Sequence, residues 1–313
     1  MLNTSVKPFV CVIGGLNIDL QGSSDRPLVF NDSNPGEIAM SAGGVGRNIA
    51  ENIAKLNIHS KILSYVGADP LGEFVIEKSE KSGVDTSLLK KNNHLPTSQY
   101  LSLLDDNNDM LVSISDMRII DEMTIQDIDN WDEVISQSSV IIVDANIPIL
   151  VIEYITNKYS KIPLFLDPVS YAKTSKIIKL IGRFHTVKPN RLEAELISGL
   201  KITDKDSMLK AAKIIFDMGC KQIFITLGSE GVFYYDVNDY GQYLFEGADV
   251  ISANGAGDAF TAGVVYGFLK LKSIKESAEF ASAAAVIALR SLNTISDDMS
   301  EERVKLLLKE KKP

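Results

Sequence analysis

Short apolar runs that alternate with helix-like segments are the feature that most constrains the fold of this chain. Residues 9–13 (FVCVI) and 140–143 (VIIV) are apolar at every position, as in strands that are buried on both faces. Residues 149–155 and 211–218 instead have the apolar spacing of helices. A doubly buried strand needs a helix layer on each side of its sheet. The sequence therefore predicts an α/β fold with a mostly parallel central sheet covered by helices on both faces.

Polar residues follow several of the predicted strands. Asn17 and Asp19 come after the first strand and its Gly14-Gly15 turn, and later strands end at Asp144 and Asp167. In open α/β sheets, ligands bind beyond the carboxyl ends of the strands. At alternate positions, Asn17 and Asp19 would point the same way and could bond to sugar hydroxyls. The alternative is that they only shape a turn.

A glycine-rich turn at residues 252–260 (SANGAGDAF) precedes a predicted helix over 259–269. Its glycines allow close backbone approach, and free N–H groups at a helix N-terminus attract anions. Asp258 would repel a phosphate that only had to be bound, which suggests a base beside a phosphate. The alternative is a first-turn acid that stabilises its helix. A second such turn, residues 43–48 (GGVGRN), lacks the third glycine of a dinucleotide-binding motif and fits close approach to a substrate better.

Two turn-rich stretches interrupt the α/β pattern. Residues 21–40 predict short strands, and residues 99–104 and 110–115 predict a hairpin. Together they could form a small inserted sheet that acts as a lid. We therefore expect one domain over residues 1–313, with lid segments at about 17–40 and 97–116.

Composition excludes several classes of protein. The net charge of −9 disfavours polymeric nucleic acid as a partner. Three scattered histidines and two isolated cysteines form no metal-ligand pattern. No signal-peptide pattern and no apolar run of ~20 residues is present, so we expect no membrane association and a cytoplasmic location.

Four stretches, at residues 14–19, 43–48, 188–193 and 254–258, resemble in order and spacing the ribokinase-like (phosphofructokinase-B-type) carbohydrate kinases along the entire chain. Within that family, further stretches resemble the pseudouridine kinases more closely. These are residues 33–36, 43–50, 97–105, 167–170 and 185–195.

The resemblance implies a role for each matching residue. Asp258 would take the proton from a sugar 5′-hydroxyl, and the N–H groups of Gly255, Ala256 and Gly257 would form the anion hole. The ribose would be bound by Asn17, Asp19, Gly43, Gly44 and Asn48. Asn190 and Glu193 would organise Mg²⁺ and the phosphates, and the nucleotide would be bound by Thr226, Gly228 and Gly231. Lys173 would reach the base or the substrate, or else be a solvated surface lysine.

The implied reaction is ATP- and Mg²⁺-dependent phosphorylation of pseudouridine at its 5′-hydroxyl. The alternatives are a sibling kinase for ribose or another nucleoside, and a non-catalytic nucleoside-binding protein on the same scaffold. Because an exposed edge of a small sheet is a natural pairing site, we also expect a homodimer formed through the lid. Many family members have an aspartate at the position of Ser252 that helps to hold K⁺, so we expect weak K⁺ binding here.

Overall fold

The computed structural model describes residues 8–24, 26–105, 109–247 and 249–310. The strands of these residues are, in chain order, β1 Phe9–Ile13, β2 Asn17–Ser23, β3 Glu37–Gly43, β4 His59–Leu63, β5 Tyr65–Gly67, β6 Lys90–Asn92, β7 Gln99–Leu104, β8 Met110–Asp116, β9 Val140–Asp144, β10 Leu164–Asp167, β11 Thr186–Val187, β12 Gln222–Thr226, β13 Val232–Tyr235 and β14 Tyr240–Tyr243.

The α-helices are α1 Val45–Lys55, α2 Pro70–Lys81, α3 Arg118–Asp121, α4 Ile125–Asn130, α5 Asp132–Ile135, α6 Ile149–Lys158, α7 Tyr171–Ile177, α8 Arg191–Ser198, α9 Lys205–Asp217, α10 Ala256–Leu269, α11 Ile274–Leu289 and α12 Glu301–Glu310. Short 3₁₀ helices cover Ile178–Arg183 and Gly228–Glu230. Among the residues described, no helix is long and apolar enough to cross a bilayer.

The central sheet has the strand order β14-β13-β12-β11-β10-β9-β1-β4. The strands from β12 to β4 in that order run parallel, whereas β13 pairs antiparallel with both β12 and β14. The antiparallel edge arises because β12, β13 and β14 follow one another through short turns, with no α-helix between them. The predicted α/β fold with a mostly parallel sheet is confirmed.

Alternate residues of β1 show why the strand is apolar throughout. Val10 and Val12 belong to an apolar cluster with residues of α1, α10 and α11. Cys11 and Ile13 belong to a second cluster with residues of α6 and α9. All four side chains are fully buried, so the sheet is covered on both faces as predicted.

The small sheet has the order β3-β2-β7-β8, and its strands lie within the two stretches assigned to the lid, except that β3 continues to Gly43. Its edge strands carry exposed apolar side chains, including Ile38, Val112 and Ile114. Residues 106–108, in the middle of the predicted hairpin, lie outside the described residues. That the sheet closes over a site as a lid, and that residues 1–313 form one domain, stay predictions.

Candidate active site

The two glycine-rich turns, far apart in sequence, meet at one place in the fold. Gly44 is the N-cap of α1 and Gly255 is the N-cap of α10. One turn into α1, the Asn48 side-chain amide donates a hydrogen bond of 2.9 Å to Asp258 Oδ2 in the first turn of α10. The motifs predicted separately therefore build a single site.

Gly44 and Gly255 are required by geometry. Gly44 has φ 101° and Gly255 has φ 75°, the left-handed region that disfavours other residues. A Cβ on Gly255 would lie 1.8 Å from the carbonyl oxygen of Thr294, and one on Gly44 would lie 2.6 Å from that of Gly15. Among the described side chains, none caps the N-terminus of α10, so its N–H groups are available to an anion.

A cavity of about 810 Å³ lies on one side of this helix terminus. Its lining includes most of the predicted sugar-binding residues, namely Asn17, Asp19, Gly44 and Asn48, together with Gly255 and Asp258. Gly43 lies against Asp19, since a Cβ there would be 2.1 Å from Asp19 Oδ2. The Asn17 amide donates to Asp19 Oδ1 over 2.6 Å. Burial raises the pKa of Asp19, although Asn17 and the Arg47 charge oppose that shift. We call this space the acceptor cavity.

A second cavity, of about 740 Å³, lies on the other side of the terminus. Thr226, Gly228 and Gly231 line it, as do Ala256 and Gly257. Much of the remaining wall is apolar, including Val232, Phe260, Val286 and Leu289. We call this space the nucleotide cavity. The N-terminus of α10 contributes to both linings, since Gly255 and Asp258 line the acceptor cavity and Ala256 and Gly257 line the nucleotide cavity.

Asn190 and Glu193 form a capping box at the start of α8. Asn190 Oδ1 accepts from the Glu193 N–H over 2.9 Å, and Glu193 Oε2 accepts from the Asn190 N–H over 2.8 Å. Glu193 is only 3% exposed, so it is not a solvated first-turn acid, and burial raises its pKa. Asn190 also pairs with Thr226 through a parallel bridge, which places this element beside the nucleotide cavity.

The described residues contain no cluster of three or more His, Cys, Asp or Glu side chains arranged to hold a metal ion. Mg²⁺ that binds with substrate phosphates usually needs only one or two protein carboxylates. Glu193 is one such carboxylate, in the element beside the nucleotide cavity, and its role as a metal residue stays a prediction.

A buried ion pair lies beneath the anion hole. Lys188 Nζ is 3.2 Å from Asp167 Oδ2, which also accepts from the Thr261 hydroxyl over 3.0 Å. A Cβ on Gly257 would lie 3.4 Å from Lys188 Nζ, so the ammonium group is next to the predicted anion hole. Burial alone would lower the pKa of Lys188, but Asp167 and Asp258 raise it above its ordinary value. Lys188 therefore carries a positive charge here. It lies within one of the resembling stretches, but sequence reasoning assigned it no role.

Asp144 is a second residue whose place at the site the sequence did not reveal. It is fully buried; Oδ2 accepts from the Gly15 N–H over 2.7 Å and Oδ1 from the Asn146 N–H over 2.9 Å. Burial raises the pKa of Asp144 to about 6. The carboxylate thus joins the turn that carries Asn17 to the loop that carries Asn146, and both of these residues line the acceptor cavity.

Comparison with known proteins identifies the family. The sequence profile described as "pfkB family carbohydrate kinase" matches residues 7–302. The chain belongs to the PfkB family of carbohydrate kinases. It is 37% identical over 297 residues to the pseudouridine kinase of Escherichia coli K12, covering 94% of each chain.

Solved structures agree with this assignment. A putative sugar kinase from Clostridium perfringens has a TM-score of 0.89 and 34% identity, covering 97% of this chain and 96% of that one. Arabidopsis thaliana ribokinase, solved with ribose and ATP, has a TM-score of 0.82 and 22% identity, covering 96% of this chain and 99% of that one. At this identity, the similarity supports the fold only. The ribokinase-like fold is confirmed, and this PfkB kinase is a phosphotransferase with an alcohol group as acceptor.

Asp258 of this PfkB kinase has an unusual acidity. Burial in the cleft, together with the negative charge of Asp167, raises the pKa of Asp258 to about 7, against the opposing effects of Asn48 and Lys188. The residues around Asp258 in the sequence do not indicate this shift, because it comes from burial in the fold and from Asp167, which is distant along the chain. A general base works best when its pKa is near the operating pH.

We expect kcat/KM for the acceptor to rise with pH through about 7 and to level off above it, because only ionised Asp258 accepts a proton. The measurement is the initial rate at saturating nucleotide from about pH 5.5 to 8.5. Circular dichroism at each pH serves as the control for unfolding. A profile that is flat across this range would contradict the assignment.

The sequence also singled out Lys173 and Ser252, which lie outside the contacts described above. Lys173 lies in α7, where its N–H donates to the Ser170 hydroxyl, and it is not among the residues that line the two cavities. Its contact with substrate stays a prediction. The Ser252 hydroxyl accepts from the Asn254 N–H over 3.3 Å. The guanidinium of Arg290 donates to the Gly247 carbonyl over 3.2 Å, on the nucleotide-cavity wall.

Proposed function

We propose that this kinase transfers the γ-phosphoryl group of ATP to the 5′-hydroxyl of pseudouridine, giving pseudouridine 5′-phosphate and ADP. The carrying observation is the position of Asp258, which contacts Asn48 in the lining of the acceptor cavity, at the start of a helix that also lines the nucleotide cavity. The similarity to the E. coli pseudouridine kinase supports the choice of nucleoside. The polar acceptor cavity suits a ribose and a nucleobase.

Each group of residues has a separate role in the reaction. Asn17 and Asp19, held together by their hydrogen bond, orient the sugar hydroxyls. Asp258 takes the proton of the attacking hydroxyl, and the N–H groups of Gly255, Ala256 and Gly257 donate to the charge that develops on the transferred group. Lys188 adds a positive charge beside those donors.

The nucleotide would lie against Thr226, Gly228 and Gly231, with Asn190 and Glu193 organising its ion through water. Bound MgATP supplies the phosphoryl group and neutralises part of its charge. Phosphoryl transfer depends on positioning and on charge stabilisation more than on covalent steps, which matches this set of residues.

The direct test is ADP release with pseudouridine, uridine, adenosine, ribose and fructose as acceptors. We expect the highest kcat/KM with pseudouridine. Faster turnover of ribose or adenosine would favour the sibling-kinase alternative. No turnover with any acceptor, together with binding of pseudouridine, would favour the non-catalytic alternative. A site that pairs buried polar groups with one edge of the base can reject the wrong nucleoside by about 10⁴-fold.

We expect activity to depend only weakly on K⁺. Hard cations such as K⁺ prefer charged oxygen ligands, but Ser252 offers only a neutral hydroxyl. Backbone carbonyls such as that of Thr294 replace the missing carboxylate only in part. The measurement is kcat/KM at constant ionic strength with K⁺ replaced by a large organic cation. A fall of about tenfold, equivalent to ~1.4 kcal/mol, would mean that the ion site survives without the aspartate.

We infer a homodimer formed through the small sheet. Its edge strands β3 and β8 are exposed and carry apolar side chains, and exposed edges of this kind pair readily with another chain. Sedimentation velocity at micromolar concentration should give the mass of a dimer. Ile114→Lys on β8 should shift the protein toward monomer, whereas a monomeric unsubstituted protein would reject the inference.

A further inference from the structure

Val169 has a backbone conformation that its side chain disfavours. It lies in the turn after β10 with φ 67°, in the left-handed region. A β-branched residue is rarely found there, because its Cβ substituents crowd the backbone. Strain of this kind persists only where surrounding contacts impose it, and it concentrates at functional sites.

The contacts that impose this conformation belong to the active site. The Val169 N–H donates to Asp167 Oδ1 over 3.1 Å, and the other oxygen of Asp167 is held by Thr261 and Lys188. On the far side of the turn, the Ser170 N–H donates to the Pro168 carbonyl over 2.7 Å, and its hydroxyl caps α7. The turn is therefore fixed at both ends.

Val169 lines the acceptor cavity. Part of its side chain packs on the apolar cluster that also contains Leu166. Many of the other lining residues are polar, among them Asn17, Asp19, Asn48 and Asp258. Glycine would fit the backbone without strain, but it would leave the cavity wider and would remove an apolar contact.

We infer that Val169 is a specificity-determining residue, whose side chain bounds the acceptor cavity at the end of β10 and packs against an apolar face of the acceptor. The inference rests on the proposed function, since it concerns the same cavity. It explains why a strained valine occupies a turn that glycine fits better. The methyl groups of Val169 limit which acceptors bind in a reactive position.

The test compares Val169→Ala and Val169→Gly with a matched control, Leu271→Gly. Leu271 has φ 52° and is 94% exposed in the loop between α10 and α11, so glycine there relieves similar strain away from the cavities. We expect both Val169 variants to lose about tenfold in kcat/KM, mainly through KM, as for missing methyl groups in an apolar pocket. Their preference for the best acceptor over the second best should narrow. Leu271→Gly should keep unchanged kinetics.

Thermal unfolding adds a readout of the strain. We expect Val169→Gly to melt no lower than Val169→Ala, because glycine removes the backbone strain that alanine retains. Unchanged kinetics in both folded Val169 variants would overturn the inference, as would an equal loss of activity in Leu271→Gly. The assays use the acceptor that turns over fastest in the panel, so a wrong choice of nucleoside is distinguished from a failure at Val169. If no acceptor turns over, the affinity for pseudouridine measured by calorimetry replaces KM. Weaker binding by the Val169 variants then supports the inference, and unchanged binding overturns it.

Discussion

Asp258→Asn should lower kcat by about 10²–10⁴-fold with little change in KM, because it removes a general base while keeping the shape of the side chain. Asn48 already contacts Asp258 through its amide, and an asparagine at 258 still offers it an oxygen. Acceptor binding is therefore expected to survive. The measurement is steady-state ADP release, with circular dichroism to show that the variant is folded.

The matched control is Asp206→Asn. Asp206 is an exposed acid in the first turn of α9, the kind of residue that only stabilises its helix. If Asp258 had that simple role, both variants would retain kcat. We expect kcat to be unchanged in Asp206→Asn and lowered in Asp258→Asn. An unchanged kcat in folded Asp258→Asn would remove Asp258 from the mechanism.

Lys188→Met should lower kcat/KM by about 10²–10³-fold, the range seen when one stabilising group is removed from a developing negative charge. Its ammonium is the positive charge beside Gly257 and is paired with buried Asp167. Without that cation the pKa of Asp258 should rise further, because Lys188 opposes the upward shift. The acid limb of the pH–rate profile should therefore move to higher pH.

Two measurements separate this effect from a simple loss of stability. Thermal unfolding measures how much stability the variant loses when Asp167 has no ion-pair partner. Asp167 still accepts a hydrogen bond from the Thr261 hydroxyl in the variant. Lys179→Met, which removes an exposed lysine, should leave both the rate and the pH profile unchanged. If Lys188→Met keeps kcat/KM and the acid limb in place, Lys188 has only a structural role.

The sequence predicted those parts of the site whose chemistry is local. Gly255, Gly257 and Asp258 lie within four consecutive residues at the start of α10, so their spacing alone indicates an anion site with an acid beside it. Asn17 and Asp19 are predicted in the same way, from alternate positions after β1. The apolar runs predicted the sheet and its two helix layers, because burial on both faces leaves a simple pattern.

The remaining features depend on tertiary contacts. The Asn48–Asp258 hydrogen bond joins residues 210 positions apart, and the raised pKa of Asp258 comes from its burial and from the charge of Asp167 at the end of β10. Lys188 was visible in its motif, but its burial beneath Gly257 was not. The left-handed backbone of Val169 has no sequence signal, since valine is a residue that a pattern would assign to extended structure.

The most direct test of the proposed function is the position of the phosphate in the product. Incubation of the protein with pseudouridine and MgATP, followed by ³¹P nuclear magnetic resonance, distinguishes the possible esters. We predict a phosphomonoester signal split into a triplet by the two 5′ protons, and its absence with Asp258→Asn over the same time. A doublet, from phosphate on the 2′ or 3′ oxygen, or the absence of any phosphorylated pseudouridine, would contradict the proposal.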